Sequence, residues 1–240
     1  MQKSNLKHIN LCNVTIHDLT VDEAVEAALA ERGAPCFTVT PNALMLEACR
    51  RNPADAALLN SATLSLPDGA GVLLAAKKQK TPLGGRVAGI AFGEALLKRA
   101  AQDGLRVFLL GGSDGVAQRA AERLCQRFPN LTVCGTYWGY FGKEGEDDRT
   151  VCAIIRACRP DILFVCFGFP AQERWIASHL DALGGVRVVA GLGGSLDVWS
   201  GDLRRAPALV SRLGLEWAWR MLRQPKRLKG LPAIVRFVLR

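Results

Sequence analysis

The sequence predicts an α/β fold: a Rossmann-like, mostly parallel sheet flanked by helices, with a helical appendage at the C-terminus. Three observations predict it. Short apolar runs alternate with longer helix-like stretches through residues 1–201, the pattern of βα units. Glycine-rich turns close several of the apolar runs, as Gly111-Gly112 and Gly191-Leu192-Gly193-Gly194 do. Beyond Gly201 the alternation stops, and residues 202–240 become rich in Leu, Val, Trp and Arg. The chain therefore divides into an α/β domain over 1–201 and a basic amphipathic appendage over 202–240.

The elements follow in order. Thr20-Val21-Asp22-Glu23 has capping-box spacing and opens an Ala-rich helix that stops at Gly33. Residues 36–40 form a short apolar strand, and Pro41-Asn42 starts the next helix. Residues 63–66 form another strand, and residues 72–78 are helix-like. A helix over 91–103 ends at Gly104. The unbroken apolar run 106–110 reads as a buried strand, followed by a helix over 116–128. Residues 131–134 form a strand and 135–145 a loop rich in aromatics. A strand over 161–167, a helix over 171–183 and a strand over 187–190 complete the domain. Residues 207–222 and 225–239 read as two further helices.

Composition excludes several classes. Hydrophobic residues make up 49% and charged residues 22%, as in ordinary core-forming proteins. No apolar run approaches the ~18 residues of a membrane span, and the polar N-terminus lacks the apolar core of a secretory signal. The eight cysteines form no C-x-x-C pair and have three histidines for company. No metal site is expected; reduced core thiols of a cytosolic protein are. The net charge is +9, and ten of the 31 Lys/Arg but two of the 22 acids lie from Asp202 to Arg240. That tail calls for an anionic partner: phosphate, nucleic acid or an acidic membrane face.

Ser65-Leu66-Pro67-Asp68-Gly69-Ala70-Gly71 places one carboxylate in a glycine-rich turn after a strand. Such an acid serves either as a general base or as a cap for the next helix. Other strand ends carry Thr40 and Asn42, Gly84-Gly85-Arg86, Gly111-Gly112-Ser113, Gly168-Phe169-Pro170-Ala171-Gln172-Glu173, and the stretch from Gly191 to Asp197. In a parallel sheet these turns gather on one edge, which predicts a site for a polar ligand. Gly111-Gly112 ahead of a helix suits phosphate, yet matches neither the dinucleotide nor the P-loop fingerprint. Glu146-Asp147-Asp148 suggests a metal-binding cluster, but fits better as the acidic first turn of a helix. The sequence has no Asp-x-Asp to hold a divalent metal on a diphosphate, so arginine has to neutralise that charge. Arg86 as a plain surface charge, Gln172-Glu173 as a polar first turn and Asp197 as a loop cap remain the alternatives.

Thr40-Pro41-Asn42, Pro67-Asp68-Gly69-Ala70-Gly71, Arg86-Val87-Ala88-Gly89, Gly168-Phe169-Pro170-Ala171-Gln172-Glu173 and Gly193-Gly194-Ser195-Leu196-Asp197 recur in a characteristic order. Arg205-Ala206-Pro207, Gly214-Leu215-Glu216-Trp217, Arg220 and Gln224-Pro225-Lys226-Arg227 continue it. Together they resemble the WecG/TagA/CpsF family of bacterial glycosyltransferases, from about Asn10 to Arg227. The resemblance implies transfer of a sugar from a UDP-sugar to a polyprenyl-diphosphate-linked saccharide in cell-surface polysaccharide synthesis. It implies inversion at the anomeric carbon, no metal and no cofactor beyond the UDP-sugar substrate. N-acetylmannosamine, its uronic acid, glucose and related sugars are the donors. Asp68 is then the general base, with Thr40, Asn42, Arg86 and Gln172 at the other catalytic positions. Gly111, Gly112, Gly168, Glu173, Gly193, Asp197, Arg220 and Arg227 are candidates for binding the donor. The resemblance puts the enzyme in the cytoplasm, peripheral on the inner face of the plasma membrane. Its partners are the lipid-linked glycan, an anionic membrane surface and a further copy of the chain, with no nucleic acid. Ala91, Ala171 and Gly230 stand where the family often carries Asp, Lys and a basic residue. Two other classes compete: a nucleic-acid-binding α/β protein using the tail, and a nucleotide-sugar oxidoreductase or epimerase, which lacks its fingerprint here.

Overall fold

The computed structural model describes residues 6–30, 33–204, 219 and 230–239. Two short strands come first, β1 (His8–Leu11) and β2 (Val14–His17), paired antiparallel. Their turn residues, Cys12 and Asn13, take φ of 55° and 63°, the left-handed values that tight hairpin turns need. Asn13 is the only conventional turn former there, so the hairpin has little sequence signal. It docks on the main sheet, where the Ser65 N–H donates to His17 Nδ1 at 3.1 Å.

Six strands form that sheet: β3 (Cys36–Val39), β4 (Leu64–Ser65), β5 (Arg106–Gly111), β6 (Thr132–Tyr137), β7 (Ile162–Cys166) and β8 (Val188–Gly191). Their order is β4-β3-β8-β7-β5-β6, and every neighbouring pair is parallel. Strands β3, β7 and β8 are buried at every residue, because helices cover both faces.

The helices are α1 (Val21–Leu29), α2 (Ala43–Arg51), α3 (Pro53–Ser61), α4 (Ala70–Lys78), α5 (Gly89–Asp103), α6 (Val116–Arg127), α7 (Gly145–Cys158), α8 (Ala171–His179), α9 (Ser195–Trp199) and α10 (Leu231–Leu239). One core joins α1, α5, α6 and α9 to the sheet, and the other joins α2, α3, α7 and α8. The α1 capping box forms as expected: Glu23 N–H donates to Thr20 Oγ1 and Thr20 N–H to Glu23 Oε2. Gly104 caps α5 in the left-handed conformation, at φ 69°.

Some expectations change. The segment after Pro41-Asn42 is two helices, because Asn52 caps a second one that begins with Pro53. Strand β6 runs on to Tyr137, which pairs with Leu110, where a loop from 135 was expected. The helix over 171–183 ends at His179 and is followed by a short 3-10 turn, Asp181–Leu183. Most of the helix expected over 207–222 lies outside the described residues. Helix α10 falls within the one expected over 225–239. It lies against α2 and α4, with Phe237 buried and Arg236 3.6 Å from Glu47. No helix among the described residues is long and apolar enough to cross a membrane.

Candidate functional site

The carboxyl ends of β4, β3, β8, β7 and β5 lie side by side, and their turns carry most of the residues singled out above. The chain leaves β5 toward β6 and leaves β7 the other way, toward β8. The edge between β5 and β7 is thus a switch point, where open α/β sheets bind ligands.

Asp68 does not cap the helix that follows it. Gly69, at φ 103°, is the N-cap of α4 and no side chain caps that helix. The Asp68 carboxylate instead receives the Gly89 N–H at 3.4 Å, at the start of α5. A helix start favours a negative charge. Three loops meet there. The Asp68 N–H donates to Pro41 O and the Val87 N–H to Pro67 O, both at 2.9 Å. This ties the Thr40-Pro41-Asn42, Pro67-Asp68 and Arg86–Gly89 segments together. Gly89 is required by close approach, since a Cβ there would sit 2.8 Å from Thr40 Oγ1. Thr40 is buried; Asp68, Asn42 and Arg86 are half-buried.

Asn42 has a committed end. Its Oδ1 accepts the Leu44 and Met45 N–H groups at 3.0 and 3.2 Å, capping α2, so its NH2 end is what remains for a ligand. The loop carrying Arg86 is anchored by a residue with no motif around it. Asp18 Oδ1 accepts the Gly84 N–H at 2.6 Å, and Asp18 Oδ2 pairs with Lys7 at 2.5 Å. Burial pushes the Asp18 carboxyl up, but the Lys7 and Gly84 bonds outweigh it and hold it below its ordinary value.

Gln172 and Glu173 form a second group, in the first turn of α8, after β7. Gln172 Oε1 accepts both the Gly168 N–H (3.1 Å) and the Gly193 N–H (3.0 Å), so one side chain clamps the turns after β7 and β8. Its Nε2 donates to Glu173 Oε1 at 2.7 Å. Glu173 is fully buried and its Oε2 has no hydrogen-bond partner. Burial pushes its carboxyl up to about 7, against the lowering by the Gln172 bond.

Gly111 and Gly112 form the third group, at the switch point. At Gly111 (φ 138°) a Cβ would lie 2.5 Å from Cys166 O, so only glycine lets β5 and β7 close there. The Gly139 N–H donates to Gly112 O at 2.8 Å and fastens the loop after β6 onto the same turn. Asp197 lies in the first turn of α9, where its charge acts on the Cys166 thiol at the end of β7. Arg220 and Arg227 lie outside the described residues.

The parallel sheet thus gathers an acid, an arginine and glycine turns on its carboxyl edge, the edge at which α/β enzymes bind their ligands. Residues 9–240 match the family model described as the glycosyl transferase WecG/TagA/CpsF family, and the chain belongs to that family of glycosyltransferases. A relative from Bacillus spizizenii is named N-acetylglucosaminyldiphosphoundecaprenol N-acetyl-beta-D-mannosaminyltransferase. It is 36% identical over 214 aligned positions, which cover 89% of this chain and 81% of that protein. A Staphylococcus aureus protein of the same name is 34% identical, over 99% of this chain and 93% of its own length.

Proposed function

We propose that the protein transfers N-acetylmannosamine from a UDP-sugar onto a polyprenyl-diphosphate-linked N-acetylglucosamine, with inversion and without a metal. The observation that carries this reading is the Asp68 corner: a carboxylate set at a helix start beside Thr40, with Arg86 on the adjoining loop, in a chain of this family. The names of the relatives supply the sugar and the acceptor.

Inversion is one displacement. The acceptor hydroxyl attacks the anomeric carbon opposite the leaving UDP. Asp68 takes the hydroxyl proton as general base. Negative charge grows on the diphosphate as the bond breaks, and fixed donors aimed at it lower the barrier. Arg86 serves that purpose, with the tail arginines as further donors. The Gln172 clamp keeps the Gly168 and Gly193 turns at a fixed spacing between the two ends of the donor.

The acceptor is lipid-linked in this reading, so the protein works on the inner face of the plasma membrane. Leu44, Leu74 and Val235 support that. They are exposed on α2, α4 and α10, and α10, from the basic end of the chain, packs on the other two. Apolar residues among basic ones suit an anionic surface.

The test is acceptor-dependent UDP release, screened across UDP-sugars with N-acetylglucosamine-diphosphate-polyprenol, with and without excess chelator. Release from UDP-N-acetylmannosamine alone is the expected result. Another preferred donor overturns the sugar assignment, and no acceptor-dependent release from any donor overturns the reading.

A further inference from the structure

The macrodipole explains acids at the start of α7, but not why Asp148 among them is buried. Asp148 and Cys152 stand four residues apart on α7, and so share a face. His179, the last residue of α8, meets them there. One ligand atom from each lies within 4.8 Å of the others.

Trp175 orients two of the three. Its indole N–H donates to Asp148 Oδ1 at 2.7 Å. Its carbonyl oxygen lies 2.7 Å from His179 Nδ1, and its ring stacks on the imidazole with centroids 4.5 Å apart. A carbonyl only accepts, so Nδ1 carries a hydrogen, and Ser178 Oγ, 2.9 Å from Nδ1, gives its own hydrogen to the same carbonyl at 3.0 Å. His179 Nε2 then faces Asp148 Oδ2 at 2.8 Å. In a neutral ring those are two lone pairs pointing at each other. A proton removes the conflict at this spacing, and a metal ion bound by both, at about 2.0–2.2 Å from each, removes it with the two atoms ~0.5 Å further apart. A proton needs no third donor, whereas a metal uses the Cys152 sulfur.

We propose that Asp148, Cys152 and His179 bind a divalent cation of the zinc class, with Trp175 fixing the carboxylate and the imidazole around it. A mixed O, S and N set matches zinc in four-fold coordination, with water in the remaining place. A ligand histidine whose other N–H is held by a backbone carbonyl is the usual outer-shell arrangement of such sites. His179 is only partly buried, which leaves a route in for the ion. Lys143 also senses Asp148, but its Nζ is committed to the carbonyls of Gly139 and Phe141, at 2.6 and 2.9 Å. The ion is structural. It ties α7 to α8 beside Phe167, which meets Trp175 edge-on at 5.9 Å and precedes the Gly168 turn. No step of sugar transfer runs through it.

The experiment uses the full chain, stripped with chelator and titrated with Co2+ as a spectroscopic probe, then with Zn2+. A single tight equivalent with a sulfur-to-cobalt charge-transfer band, displaced by Zn2+, is expected. Cys152→Ser should abolish the band. Trp175→Phe, which keeps a ring but loses the N–H, should weaken binding about 10–100-fold. Zn2+ should raise the melting temperature of the wild type and not of Cys152→Ser. If Cys152→Ser fails to fold, His179→Gln replaces it in both measurements. A wild-type protein with no cobalt band has only a proton between His179 and Asp148, and the proposal falls. A band that persists in both variants places the metal on other cysteines and overturns it equally.

Discussion

Glu173→Gln should change how stability depends on pH. The wild-type carboxyl is fully buried, and burial lifts it from an ordinary 4.5 to about 7. Between those values the folded protein holds a proton that the unfolded chain has released. Its contribution is therefore complete below the unfolded value, and is lost as pH rises through about 7. Each tenfold change in proton affinity is worth about 1.4 kcal/mol, so the whole loss is roughly 3 kcal/mol. Glutamine keeps the oxygen that accepts from Gln172 Nε2, and it cannot ionise. The variant should match the wild type near the acid end of the window and exceed it by up to roughly 3 kcal/mol above the neutral end. Urea denaturation across the window measures this, read as the difference between wild type and variant so that other titrating groups cancel. An unchanged slope m would assign the difference to stability rather than to compactness. Curves for the two proteins that run parallel from acid to neutral pH would refute the reasoning, because Glu173 would then not be the group that titrates.

Three further outcomes are expected. Asp68→Asn should lower turnover by roughly 10²–10⁴-fold, the usual worth of a positioned base, while calorimetry still detects UDP binding; wild-type turnover would remove Asp68 from that role. Gly89→Ala should push a methyl against Thr40 Oγ1, 2.8 Å from its ideal place, and cost about 1–3 kcal/mol of stability on thermal unfolding; it should also impair turnover by displacing the N–H that Asp68 accepts. Replacing Leu44, Leu74 and Val235 together by Glu should abolish sedimentation with anionic vesicles at an unchanged melting temperature, since each buried aliphatic side chain contributes about 1.5–3 kcal/mol to partition; undiminished sedimentation would move the membrane contact elsewhere.

The fold was legible wherever a local signal starts or stops an element. Thr20 and Glu23 mark a helix start by their own side-chain chemistry, and Gly104 marks a stop by its left-handed backbone. Asn52-Pro53 carries the same kind of signal, a cap followed by a residue preset for the first turn. It divides α2 from α3 within a stretch that otherwise reads as one helix. The β1–β2 hairpin turns on Cys12 and Asn13, and a left-handed Cys has no sequence signature. Strand order is of another kind. Nothing in the run 106–110 says that β5 lies four places from β4, because order is decided by crossovers between whole βα units.

The site was legible as residue types, but not as partners. Asp68 is at a helix start, though the helix is α5, which begins 21 residues later, and not α4. Gln172 does lie in a polar first turn, yet its polar atoms are spent on Gly168, Gly193 and Glu173, so it shapes the crevice by holding two turns. Asp18 could not be found at all, because a single acid after a strand looks like any other until Gly84 is beside it.

Strand order also constrains the kind of ligand. From β4, which ends at the Asp68 turn, to β5, which ends at Gly111, the order β4-β3-β8-β7-β5 crosses four strand spacings, roughly 19 Å. A compact ligand touches one end of that edge or the other. Asp68 and the glycine turn can act on the same molecule only if it lies along the edge, with its reacting carbon at one end and its anionic part toward the other. A nucleotide diphosphate sugar has that layout, and the middle of the edge is where the Gln172 clamp fixes the Gly168 and Gly193 turns. The separation of acid from glycine turn therefore favours an elongated donor for the proposed reaction, with the β7 and β8 turns as the proposed floor for its diphosphate.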